Sequence, residues 1–254
     1  VTKKRTIIEV VLVLGLSIGM SSLYSMVSLT RRVLSEVPLQ EQTATLNRPL
    51  APEPVFDLIY QVLAIASSLI PVALVLFLVA GNTRPRFASI GLDATRPAKD
   101  SLSGLGLAAL IGIPGLFLYV LGVWWGFTVQ IVPSALDALW WTVPILLAHA
   151  AKAALVEEII GVGYFITRAL SLNIPVAVVV VAHALLRATY HLYQGFGPFL
   201  GNFIMGLIFA WWFLRTRRLM PLIVAHFAID AVAFVGYPLW TSFAPDFPTG
   251  FGLE

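Results

Sequence analysis

Apolar runs of about 20 residues, the length that spans a bilayer, recur along the whole chain. They constrain the fold more than any other feature. Hydrophobic residues make up 59% of the 254 positions and charged residues only 11%, with a mean hydropathy of +0.89. A soluble domain carries about 25% charged residues. The alternating segments of about 10 residues that build a membrane β-barrel are absent. The sequence therefore predicts an all-α, polytopic transmembrane helix bundle of about seven spans. These lie roughly at 7–29, 55–80, 101–126, 139–169, 174–195, 198–215 and 219–241. Lys3-Lys4-Arg5 resembles the start of a signal peptide, but the apolar segment behind it is long for one and shows no obvious small-residue cleavage site. It reads as an uncleaved helix.

Charge sets the expected orientation. With the N-terminus inside, eleven of the 16 Lys and Arg fall on inner segments, among them Lys3, Lys4, Arg5, Arg84, Arg86, Arg215, Arg217 and Arg218. The outer segments hold Arg31, Arg32 and Arg48. That bias predicts an N-in, C-out protein of the cell membrane. Trp124, Trp125, Trp140, Trp141 and Trp240 then sit near outer ends, where interfacial tryptophans belong. The proline-bearing outer loop 30–54 reads as an irregular surface lid. With no cysteine, thiolate sites and disulfides are excluded. No phosphate-binding loop or dinucleotide fingerprint is present. The net charge of +3 is a membrane-topology signal and implies no nucleic-acid partner.

Against this apolar background, Glu157 and Glu158 stand out. A carboxylate at mid-bilayer costs roughly 2.5–3.5 kcal/mol on insertion scales, so two in a row need a wet or polar interior with partners. The partners are in the last 70 or so residues. One predicted helix carries His183, Arg187 and His191 at i, i+4 spacing, on one stripe. The next carries Asn202. The last carries His226 and Asp230, again i, i+4. This divides the chain into an N-terminal scaffold, 1–135, and a core, 136–245, that holds the chemistry. Glutamate and histidine can activate a water for attack on a carbonyl, with or without a divalent metal. Zinc accepts imidazole and carboxylate donors, and Asp230 can orient or co-ligate with His226. Asn202 can donate to an oxyanion, or simply cap its helix. There is no H-E-x-x-H zinc motif.

Glu157-Glu158-x5-Tyr164, Arg187-Ala-Thr-Tyr-His191, Gly201-Asn202 and His226-Phe-Ala-Ile-Asp230 resemble, in order, the motifs of the CAAX protease and bacteriocin-processing family, also called the Abi family. The resemblance covers about 145–235. It implies an intramembrane endopeptidase acting on a membrane-associated protein or peptide, with Glu157 as base and His191 and His226 as partners. His191, His226 and Glu157 are the set that would hold zinc. Two positions depart from the pattern. The first-motif arginine falls on Val162, and the second-motif phenylalanine on Arg187. If the changes are linked, Arg187 supplies the missing cation and pairs with Glu158 or Glu157. A non-catalytic scaffold or immunity-type partner of another membrane protein is the alternative, and a proton-coupled transporter a further one.

Three geometric expectations accompany this reading. Adjacent glutamates on an α-helix diverge by about 100°, so one should face the reaction and the other a neighbour. Trp140 to Arg168 would make about 43 Å of helix, too long for one span unless it tilts or breaks near Gly161-Val-Gly163. At 1.5 Å per residue, Glu157, His191 and His226 come out about 18, 26 and 10 Å from the inner edge, which do not coincide.

Overall fold

Runs of apolar residues become helices here because lipid offers the backbone no hydrogen bonds, so each segment must satisfy its own. The structure, a computed structural model, describes residues 2–80, 87–236 and 239. Nine α-helices run through the described residues. They are α1 (Lys3–Gly15), α2 (Ile18–Val33), α3 (Pro54–Ala80), α4 (Pro97–Trp124), α5 (Thr142–Val156), α6 (Thr167–Ser171), α7 (Val176–Thr189), α8 (Phe196–Thr216) and α9 (Met220–Ala231). Pro54 and Pro97 open α3 and α4 with an acid, Asp57 or Asp100, in the first turn. Proline is tolerated there, and the acid suits the helix N-terminus.

This is an all-α membrane protein. Helices α3, α4 and α8 are each long and apolar enough to cross a bilayer, and α1 with α2, bent by 52°, would make a fourth crossing. Helices α7 and α9 are shorter, and α5 runs on without interruption to Ser171. Helix α3 is the clearest lipid-facing element, with only 11% of its apolar window buried. Exposed Leu105, Ile113 and Phe117 on α4 likewise need an apolar surrounding.

Loop 30–54 differs from the irregular lid expected. Thr43–Asn47 forms β1, which pairs in parallel with β2, Gln130–Ser134. The Asn47 amide donates to the Pro133 carbonyl at 2.8 Å. Polar residues pulled the prediction toward loop, but pairing satisfies backbone groups that an irregular lid would leave to water. Buried Gln61 of α3 fixes the preceding turn. Its amide donates to the Arg48 carbonyl (3.0 Å), and its oxygen meets His149 Nε2 of α5 (2.8 Å). His149 is thus a satisfied core histidine. Of the expected interfacial tryptophans, Trp124, Trp125 and Trp140 are exposed while Trp141 is buried. Trp240 lies outside the described residues, as do Arg84 and Arg86.

Two close approaches hold the core. A Cβ on Gly104 would come within 2.7 Å of the Pro221 carbonyl, so α4 and α9 pack backbone to backbone. A Cβ on Gly206 would lie 2.8 Å from Ala184 Cα, which sets the α7–α8 crossing. Small residues serve this purpose in membranes, where close packing replaces the hydrophobic drive. At one end, Arg218 pairs with Asp93 (2.8 Å) and with Asp100, clamping the turn before α9 to the start of α4.

Candidate active site

The paired glutamates begin a π-helical stretch, Glu157–Ile166, that joins α5 to α6. Instead of breaking at Gly161–Gly163, the helix widens to i→i+5 bonding, a feature concentrated at functional sites. The widening changes the expected divergence. Both glutamates reach the same guanidinium: Arg187 Nη1 lies 2.8 Å from Glu158 Oε1, and Nη2 lies 3.5 Å from Glu157 Oε2.

The expected cross-helix pair between Arg187 and the glutamates is therefore present. Arg187 is 1% exposed and Glu158 fully buried. The guanidinium also lies over the Phe209 ring, 5.1 Å from its centroid. Val162, where the resemblance places an arginine, is buried in the apolar core.

Helix α9 brings in His226. Its Nδ1 lies 2.7 Å from Glu158 Oε1 and 3.3 Å from Arg187 Nη2. A ring N–H facing a carboxylate oxygen at 2.7 Å is the stronger interaction, so we assign the proton to Nδ1. The arginine approach is then a contact rather than a hydrogen bond, because both nitrogens would be donors. This leaves Nε2 facing Glu157 Oε2 at 3.9 Å and Asp230 Oδ2 at 3.4 Å. Glu158 thus sits on the orienting nitrogen of His226, and Asp230 shares the open face.

His191 follows the end of α7, and its Nε2 lies 3.7 Å from the same Glu157 oxygen. Both its ring nitrogens are buried without a hydrogen-bond partner. Tyr190, which sequence reasoning passed over, donates its hydroxyl to Glu157 Oε2 at 2.7 Å. The only signal for it was its place beside His191. Asn202 donates within its own helix, to the Pro198 carbonyl at 3.0 Å. Tyr164 donates instead to Glu9 of α1 (2.9 Å), which also pairs with Arg168. The depth mismatch computed along straight spans is absent, since α7 ends before His191 and three helical segments converge on one carboxylate.

Two ligands of a tetrahedral zinc stand roughly 3.3–3.4 Å apart, given bonds near 2.0–2.1 Å. Glu157, Glu158 and His226 each offer a donor atom within 4.8 Å of the others. Glu158 is already engaged by Arg187 and His226, which suits an outer role. Glu157, His226 Nε2, Asp230 and His191, with its unpartnered nitrogens, have the chemistry of a zinc donor set.

Glu157 and Tyr190 also line a cavity of about 470 Å³ bounded by α2, α3 and α5. A buried carboxylate–imidazole–guanidinium cluster thus sits beside a cavity in this membrane protein. Residues 139–232, which contain the whole cluster, match the family model for type II CAAX prenyl endopeptidases, Rce1-like. The match supports the resemblance of this segment to the CAAX protease and bacteriocin-processing family. No curated protein and no solved structure gives a match to the chain.

Proposed function

We infer that this protein is an intramembrane endopeptidase in which Glu157 is the general base. One observation carries the reading. A single oxygen, Glu157 Oε2, borders the cavity and is ringed by Tyr190, Arg187, His191 and His226, at 2.7, 3.5, 3.7 and 3.9 Å. A water taking its proton from a base must lie within hydrogen-bond reach of it. The wider gaps to the two imidazoles leave the space such a water occupies.

In this reading Glu157 accepts the proton of the attacking water and passes it to the leaving amine. Tyr190 holds the carboxylate in place. Glu158 keeps the proton of His226 on Nδ1, so Nε2 faces the reaction. His191, whose ring nitrogens have no hydrogen-bond partner, is the imidazole free to donate to the developing oxyanion. Arg187 is fully buried behind the glutamates and balances their charge without touching substrate. With Glu157 kept as base, His191, His226 and Asp230 would hold a zinc ion, which would polarise the scissile carbonyl. The substrate is a peptide segment of a membrane-associated protein, and seven spans with N-in, C-out orientation remain our reading of its placement. The scaffold alternative drew its support from the missing first-motif arginine, and Arg187 supplies that cation.

The test uses purified protein reconstituted in bilayers and a peptide library. Glu157→Gln and His226→Ala, made separately, should each abolish cleavage while the protein stays folded by circular dichroism. Wild-type rates in both variants would refute the reading.

A further inference from the structure

A second cavity, of about 230 Å³, lies between α1, the end of the π-helical stretch with α6, and α7. Every side chain lining it is apolar, and Ile7, Val11, Ile174 and Val178 are exposed, so it is a groove in the lipid-facing surface. It shares no residue with the Glu157 cluster. Two contacts fix how α1 lies against the opposite wall. Glu9 accepts hydrogen bonds from the Tyr164 hydroxyl and Arg168 Nε, each at 2.9 Å. Further along the chain Ile18 reaches Gly161, where a Cβ would lie 3.6 Å from Ile18 Cδ1. Rising residue numbers from α1 into α2 thus meet falling numbers from α6 back into the π-helical stretch. The two run antiparallel, and the α6–α7 turn comes to the same end of the groove as Lys3 and Lys4.

Helical phase decides which cations face the groove. Lys3 precedes Ile7 by four residues and Val10 by seven, while Lys4 precedes Ile7 by three and Val11 by seven. Both therefore extend the stripe that lines the groove. Arg5 lies about 160° round the helix from Ile7 and faces elsewhere. Lys3 and Lys4 are exposed, and neither makes a side-chain hydrogen bond or ion pair among the described residues. The opposite wall offers no neutralising acid, since none occurs from Ser171 to Ala182. At the turn, exposed Asn173 stands between the groove residues Leu172 and Ile174. Its backbone is left-handed, with φ 63°, a conformation asparagine tolerates.

We propose that this groove binds one anionic phospholipid, with an acyl chain along the apolar walls and the phosphate held by Lys3 and Lys4. The apolar walls select a lipid over a free anion, because a soluble phosphate gains nothing from them. The two unpaired cations select an anionic headgroup over a zwitterionic one. Charge-assisted hydrogen bonds from ammonium to phosphate are the strong ones, and the Asn173 amide is a further donor at the same end. Long lysine stems reach the headgroup while lying along apolar surface. The bound lipid ties α1 to the α6–α7 turn, as the Glu9–Arg168 pair ties it further in.

The experiment needs no cleavage. Purified protein is released from nanodiscs of equal phosphatidylglycerol and phosphatidylcholine with matched acyl chains, and native mass spectrometry counts the lipids retained. The wild type should retain one phosphatidylglycerol, favoured about tenfold to thirtyfold over phosphatidylcholine. Lys3→Gln and Lys4→Gln should each lower that ratio about threefold to fivefold, and the double variant should abolish it. Arg5→Gln removes the same charge from the other side of the helix and should leave the ratio within about twofold of wild type. Ala182→Phe fills the groove from an exposed wall position and should lower retention of either lipid while circular dichroism stays unchanged. An effect of Arg5→Gln equal to that of the lysine changes would show diffuse attraction to the membrane surface and overturn the site. So would the absence of any headgroup preference in the wild type, a preference kept in the double lysine variant, or full retention in folded Ala182→Phe. If Ala182→Phe does not fold, the lysine and arginine variants decide.

Discussion

Removing Arg187 should cost more than removing any other side chain near the site. Its guanidinium is 1% exposed, donates to fully buried Glu158 at 2.8 Å, and stacks over Phe209. In Arg187→Met, Glu158 keeps its burial and loses its counter-charge. Breaking a buried pair in this way costs about 3–5 kcal/mol. Glu158→Gln should lose less, because Arg187 keeps Glu157 at 3.5 Å. The double variant strands neither. Its loss should fall well short of the sum, with an interaction free energy of about 2–3 kcal/mol at this contact distance. Reversible unfolding in mixed micelles, followed by circular dichroism for the four proteins of the cycle, measures this. Strict additivity, or a loss below about 1 kcal/mol for Arg187→Met, would show that the guanidinium does not balance the glutamates. A companion swap, Val162→Arg with Arg187→Phe, should be more stable than Arg187→Phe alone if the two positions exchange the same cation.

Three further outcomes follow from the geometry. Gly206→Ala should destabilise by about 1–3 kcal/mol, because the new methyl meets the Ala184 backbone at 2.8 Å. Gly201→Ala on the same helix, whose nearest atom is a leucine methyl at 3.6 Å, should be close to neutral in the same unfolding assay. Tyr190→Phe removes the hydroxyl donated to Glu157 at 2.7 Å. Cleavage should fall about tenfold to hundredfold, and a rate within twofold of wild type would deny Tyr190 its positioning role. In the loop before α4, hydrogen bonds from Thr95, side chain and backbone, together with the Arg218 guanidinium, hold the Asp93 carboxyl down to about 2. A depressed carboxylate stabilises the fold above its unfolded value of about 3.9, and the contribution disappears as pH falls toward 2. Asp93→Asn should remove that segment of the pH–stability curve, and an unchanged slope between pH 4 and 2 would count against the Arg218 clamp.

Much of the site could be read from residue order because burying a charge in lipid is expensive. Glu157, Glu158, Arg187, His191, His226 and Asp230 each carry that cost, so each marks itself in an apolar background. Their convergence could not be read from spacing. It depends on α7 ending before His191 and on the π-helical widening at Glu157, neither of which residue spacing announces. Tyr190 escaped for a related reason. A tyrosine is common near membrane boundaries, and only a cavity between helices distant in sequence shows what it faces. The β1–β2 pair escaped because its strands lie far apart in the chain and neither is apolar enough to announce itself.

By itself, then, the sequence determined an all-α membrane protein, with the carriers of its chemistry in the C-terminal part. Hydrophobic length and the cost of buried charge are properties of a segment, readable without its neighbours. The tertiary structure decided which carboxylate faces the cavity, that Arg187 stands where its guanidinium meets both glutamates, and that His226 turns Nδ1 to Glu158. Those are relations between helices, fixed by the Gly206–Ala184 and Gly104–Pro221 approaches, which allow the backbones close enough for these side chains to meet.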